Sequence, residues 1–96
     1  MSNEMSSWDS SEELRTSEDV IAYLEAVLEE SDDVRVFQAA LGDVARSLGM
    51  TEIARTAGVG RESLYKALRS DSRPSLETIS KVVAALGGRL TVKRAS

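Results

Sequence analysis

Arg61, Glu62, Tyr65, Lys66 and Arg69 recur at helical spacing in the stretch GRESLYKALRS, so on a helix they form one stripe. Such a stripe can recognise bases and phosphates. Arg bonds bidentately to guanine, and Glu accepts from the cytosine amino group. Arg61 and Glu62, at the N-terminal end, would meet base edges first in a major groove. Tyr65 suits a thymine methyl or a phosphate, and Lys66 and Arg69 suit phosphate or base contacts. Thr51, at another helix start, can donate to phosphate beside exposed N–H groups, with Arg55, Ser72 and Arg73 as flanking phosphate contacts. The competing bland reading is a helical bundle whose basic face is merely solvated. Catalysis is poorly supplied. The chain has no His and no Cys, which removes the commonest general base and the usual soft metal ligands. No Gly-rich phosphate loop or metal-ligand cluster is present, and Glu29-Glu30 and Asp32-Asp33 lie in an exposed stretch that needs no catalytic role. The expectation is a protein that is not an enzyme, with no catalytic residues, no metal and no cofactor.

These side chains need two short helices held at a fixed angle. Thr51 to Ala57 reads as the first, capped by Thr51, and Arg61 to Arg69 as the second. Ala54 is the small residue where the helices cross, and Gly58 tolerates the positive φ of the turn. Val59 plugs the core beneath the turn, while Ile53, Ala57, Leu64 and Leu68 hold the pair to the body.

The rest of the chain supplies that body. TSEDVIAYLEAVLEE is a helix capped by Thr16 or Ser17, with Val20, Ile21, Leu24, Val27 and Leu28 as its apolar stripe. Asp32 or Asp33 caps VRVFQAALGDVARSLG, whose stripe is Val34, Phe37, Leu41, Val44, Ala45 and Leu48, and Gly49 stops it. Gly42 inside this helix costs about 1 kcal/mol relative to Ala, which points to close packing against another helix. SDSRP is a turn, after which Ser75 caps LETISKVVAALG, with Leu76, Ile79, Val82, Val83 and Leu86 inward and Gly87-Gly88 at its end. RLTVKRAS alternates apolar Leu90 and Val92 with Arg89, Thr91 and Lys93, a strand pattern. A lone strand needs a partner strand from a second copy or another protein; the other reading is an apolar clip over the core. The expected architecture is therefore all-α, five helices with a short C-terminal β-strand. Residues 1–15 form a flexible N-terminal tail and 16–96 the domain, with Trp8 either packing back on the domain or anchoring a partner.

Ninety-six residues suit one domain, and the net charge of -4 hides an asymmetry. Residues 1–49 carry -9 and residues 50–96 carry +5. The basic stripe sits in the basic half, so two surfaces with different partners are expected. No apolar run approaches the roughly 18 residues of a membrane span, and no signal pattern opens the chain, so a cytoplasmic protein without membrane contact is expected.

The pieces AALGDVARSLGMTEIAR, GRESLYKAL and PSLETISKVVAALG, preceded by EDVIAYLEAVLEE, closely resemble the addiction-module antidote proteins, antitoxins of the HigA-like group. The resemblance covers about residues 14–92. It implies a lambda-repressor/XRE-type helix-turn-helix fold and the antidote half of a type II toxin–antitoxin module. Such an antidote binds and neutralises a small basic toxin of the RelE/ParE superfamily and, as a homodimer on double-stranded operator DNA, represses its own promoter. Family members often have Ser, as a helix cap, where Gly60 stands, so Gly60 belongs to the expected DNA face. The acidic half then gains a purpose, with Trp8, Leu14, Glu18, Asp19, Tyr23, Glu25, Glu29 and Glu30 as candidate toxin-facing residues. The plainer alternative is that these acids only keep the helix soluble. A stand-alone XRE-type repressor without a toxin partner is the competing function, distinguished by whether a small adjacent gene encodes a basic protein.

Overall fold

Residues 17–69 and 71–95 are described by a computed structural model. Trp8, Leu14, Thr16 and the rest of residues 1–16 lie outside the described residues. Five helices occur among the described residues: α1 (Ser17–Glu30), α2 (Val34–Leu48), α3 (Met50–Ala57), α4 (Arg61–Ala67) and α5 (Leu76–Ala85).

Local chemistry explains most boundaries. Ser17 is the first residue of α1, which places Glu18 and Asp19 in the positively polarised first turn. Asp33 caps α2, its Oδ1 accepting from the Arg35 N–H at 2.9 Å, while the Asp33 N–H donates to Ser31 Oγ at 3.1 Å. Gly49 ends α2 at φ 106°, donating to the Ala45 carbonyl, and its own carbonyl accepts from Ile53 to start α3. The sequence points to Thr51 as the cap of α3; instead it sits inside the helix, and no side chain caps that end. The reason is that Gly49 serves both helices, which leaves no room for a separate cap. Gly58 is left-handed (φ 75°, ψ 31°), as the turn after α3 demands. Ser75 caps α5, accepting from the Thr78 N–H at 3.1 Å.

The core is aliphatic. Val20 and Leu24 of α1, Leu41, Val44 and Ala45 of α2, Ile53 and Ala54 of α3, Leu64 of α4 and Val82 and Val83 of α5 are all buried, with Leu68 and Leu86 just beyond their helices. Fully burying one such Val or Leu contributes roughly 1.5–3 kcal/mol. α1 packs on α2, α2 on α3, and α3 on both α4 and α5, so α3 is the hub. Ala54 is 3% exposed at that hub, the small residue a close helix crossing requires.

Three expectations are corrected. Val34 and Leu76 belong to apolar stripes in the sequence, yet they are 72% and 73% exposed. Each is the first residue of its helix, where the stripe runs past the layer that could cover it. The second short helix ends at Ala67 rather than Arg69, with Leu68 as its cap. The C-terminal strand is not seen: residues 88–95 are irregular, and Val92 is 96% exposed. One chain offers no partner edge, and alternation alone supplies no backbone hydrogen bonds. An apolar clip is not formed by Val92 either.

Candidate nucleic-acid interface

α4 is built so that one side is locked and the other is open. Leu64 is fully buried, while Arg61, Glu62, Tyr65 and Lys66 are exposed. The period of the helix forces this split, since positions one turn apart share a face. The Arg61 guanidinium lies 5.4 Å from the centre of the Tyr65 ring, a cation–π arrangement one helical turn long. It orients both side chains along the open face. Gly60 precedes α4 with extended backbone (φ -66°, ψ 146°) and brings no side-chain cap.

The other expected contacts fall into three groups. Arg55 and Arg69 are exposed but already hold carboxylates. Arg55 bonds both oxygens of Glu52, three residues earlier in α3, and this hydrogen bond and charge raise its pKa above the ordinary value. Arg69 Nε donates to Asp71 Oδ1 at 3.2 Å and Nη2 to Oδ2 at 2.9 Å, which holds the Asp71 carboxyl below the usual range. Both pairs are solvent-exposed, so water screens them and a phosphate can replace the carboxylate at little cost. Arg73 and Thr51 are exposed, with Thr51 on α3 away from any capping bond. Ser72 does not fit its expected role. Its hydroxyl turns inward and donates to the Ala67 carbonyl at 2.8 Å. The end of α4 needs that bond, because its last carbonyls have no partner in the helix.

The motif pattern gives no role to one further residue of this region. Gln38 of α2 is 7% exposed, and its Nε2 donates to the Arg69 carbonyl at 2.6 Å, with the Ser72 carbonyl at 3.2 Å. A signal exists in the sequence: Gln38 is three residues before Leu41 and seven before Ala45, so a polar side chain stands on the inward stripe of α2.

The acidic surface lies on α1. Glu18, Asp19, Glu25, Glu29 and Glu30 are exposed, as is Tyr23 at 37%, on the sides of the helix not occupied by Val20 and Leu24. Of the expected partner-facing residues, Trp8 and Leu14 are outside the described residues. Among the described residues, no group of three or more acidic, His or Cys side chains is placed to hold a metal ion. No helix among them is long and apolar enough to cross a membrane.

A family model described as "Probable addiction module antidote protein" matches residues 4–94. An uncharacterized protein of Haemophilus influenzae (strain ATCC 51907 / DSM 11121 / KW20 / Rd) is 38% identical over 94 residues, spanning 98% of this chain and 96% of its own length. No solved structure matches.

Proposed function

This chain belongs to the family of probable addiction module antidote proteins, and on that premise we propose that it neutralises a basic RelE/ParE-like toxin by direct binding and represses its own operon. The α3–turn–α4 unit is read as a lambda-repressor-type helix-turn-helix, with α4 entering the major groove of operator DNA. The observation that carries the reading is the open face of α4, where Arg61, Glu62, Tyr65 and Lys66 stand clear of a helix pinned by Leu64.

Each part has a physical role. Arg61 and Glu62, in the first turn of α4, meet base edges; the Arg61–Tyr65 stack holds the guanidinium along the helix until a base replaces the ring. Lys66 and, after release from Asp71, Arg69 neutralise phosphates, as Arg55 does after release from Glu52. A homodimer places two α4 helices in successive major grooves about 34–36 Å apart. The acidic α1 surface faces the other partner. Its carboxylates attract a basic toxin at long range and steer encounter before contact. The protein acts by binding and not by catalysis.

Two experiments test the two halves. The neighbouring small basic protein, co-expressed with this chain, should copurify with it. No complex, with promoter binding intact, leaves a stand-alone repressor and removes the antitoxin half. Replacing Arg61 and Lys66 together with Ala should weaken binding to the chain's own promoter DNA. The log–log salt slope should fall by about 0.9 for each phosphate no longer neutralised. An unchanged gel-shift affinity at moderate salt removes α4 from the groove.

A further inference from the structure

α2 holds the exit of α4 through backbone contacts, not apolar packing alone. Gln38 is the one buried polar side chain among the described residues. Its Nε2 lies 2.6 Å from the Arg69 carbonyl, 3.2 Å from that of Ser72 and 3.4 Å from that of Ala67, with Ser72 Oγ at 3.3 Å. An amide nitrogen has two protons, so the short bond to Arg69 dominates and the others share the second. Ser72 Oγ completes the group by donating to Ala67. One turn along α2, Gly42 lets the Leu68 carbonyl approach: a Cβ there would stand 3.1 Å from that oxygen. The carbonyls of Ala67, Leu68, Arg69 and Ser72 are thus met by two positions on one face of α2.

These bonds are directional, and they join residues far apart in the chain. Apolar contact at Leu64 and Leu68 tolerates sliding along the helix axis; a 2.6 Å hydrogen bond to a fixed carbonyl does not. We infer that Gln38 is a positioning residue for DNA recognition, its carboxamide setting the axial position of α4 and so the register of Arg61, Glu62 and Tyr65 on base edges. The inference rests on the DNA-binding reading of α4. Base-edge contacts are geometrically demanding and carry the sequence information, whereas phosphate contacts by long Lys and Arg side chains absorb small shifts. Loss of the carboxamide therefore acts on the preference for operator sequence and not on general DNA affinity.

The test uses the full chain, with a duplex of its own promoter and an unrelated duplex of equal length, at one salt concentration. Gln38→Leu removes the donors at similar size. It should lower promoter affinity about tenfold while leaving affinity for the unrelated duplex within about twofold. Ser72→Ala, which leaves Gln38 in place, should lower promoter affinity about threefold on the same logic. Circular dichroism confirms folding, and if Gln38→Leu does not fold, Ser72→Ala decides. A folded variant that keeps the full preference, or that loses affinity equally on both duplexes, overturns the positioning role. A wild-type chain that does not distinguish the two duplexes refutes the DNA reading itself, and this inference with it.

Discussion

Substituting Gly87 by Ala should unseat the first turn of α1. Gly87 follows α5 at φ 99°, a backbone conformation that disfavours any Cβ. The new methyl would also stand 2.8 Å from Ser17 Oγ and 2.9 Å from Ser17 Cβ. Carbon atoms rest about 3.5–4.0 Å apart, so α1 must retreat by the better part of an ångström or fray. Fraying as far as Val20 is the easier route, because Ser17, Glu18 and Asp19 are exposed while Val20 is 1% exposed. Backbone strain and displaced turn together cost about 2 kcal/mol. For a domain of this size that lowers the melting temperature by roughly 8–16 °C. The matched comparison is Gly60→Ser. Gly60 has φ -66°, and a Cβ there meets only Ser63 Oγ, at 3.7 Å. Ser gains a capping hydroxyl and loses unfolded-state freedom, so this variant should gain about 0.5–1 kcal/mol. Thermal unfolding followed by circular dichroism reads both. Because Glu18 and Asp19 ride on the disturbed turn, Gly87→Ala should also weaken the proposed toxin complex more than promoter binding. If Gly87→Ala melts within about 2 °C of wild type, α1 does not seat against Gly87 in solution and the reasoning is refuted.

Other outcomes follow from single sites. Leu64→Ala empties a fully buried position under α4 and should cost about 2–5 kcal/mol in urea unfolding, with the denaturant slope unchanged; a loss well under that range would mean the site collapses to fill itself. Ser75→Ala deletes the acceptor for the Thr78 N–H and should cost about 1 kcal/mol; equal midpoints would show the cap to be replaced by water. Asp71 should titrate below the ordinary carboxylate range by NMR, and Arg69→Ala should return it to that range. Since the folded value is the lower one, the pair's contribution is present above the ordinary range and is lost as pH falls through the folded value. An Asp71 that titrates normally in the wild-type chain would show the pair to be open in solution.

The charge asymmetry acquires a structural address. The acidic half places its carboxylates on α1, and the basic half places Arg61 and Lys66 on α4. α1 packs on α2 while α4 packs on α3, so each charged surface is mounted on its own neighbour. Under the proposed function, a basic toxin and an anionic duplex are drawn to different helices by opposite charge.

Periodicity and turn chemistry, both local, are enough to place five helices and the left-handed Gly58, and to assign Leu41, Val44, Leu64, Val82 and Val83 to the core. The open face of α4 is equally legible, because burying Leu64 leaves Arg61, Glu62, Tyr65 and Lys66 outward by geometry alone. The expected flexibility of the first fifteen residues and the Trp8 anchor lie outside the described residues. Whatever depends on a distant partner is not legible. The alternation of Arg89 to Lys93 suggests a strand, but pairing needs a second edge that no local pattern supplies. Val34 and Leu76 carry the right residue type at the right period, yet the layer above them ends first. Ser72 reads as a surface donor and becomes the partner of Ala67, and Gln38 gains its role only where the fold brings it to a carbonyl 31 residues away. The sequence by itself determined which residues can form helices and which side of each is apolar, since those depend on neighbours three and four positions away. Only the tertiary structure decided where each apolar stripe runs out and which polar groups meet at the exit of α4, because carbonyls left over at a helix end take whatever donor the fold delivers to them.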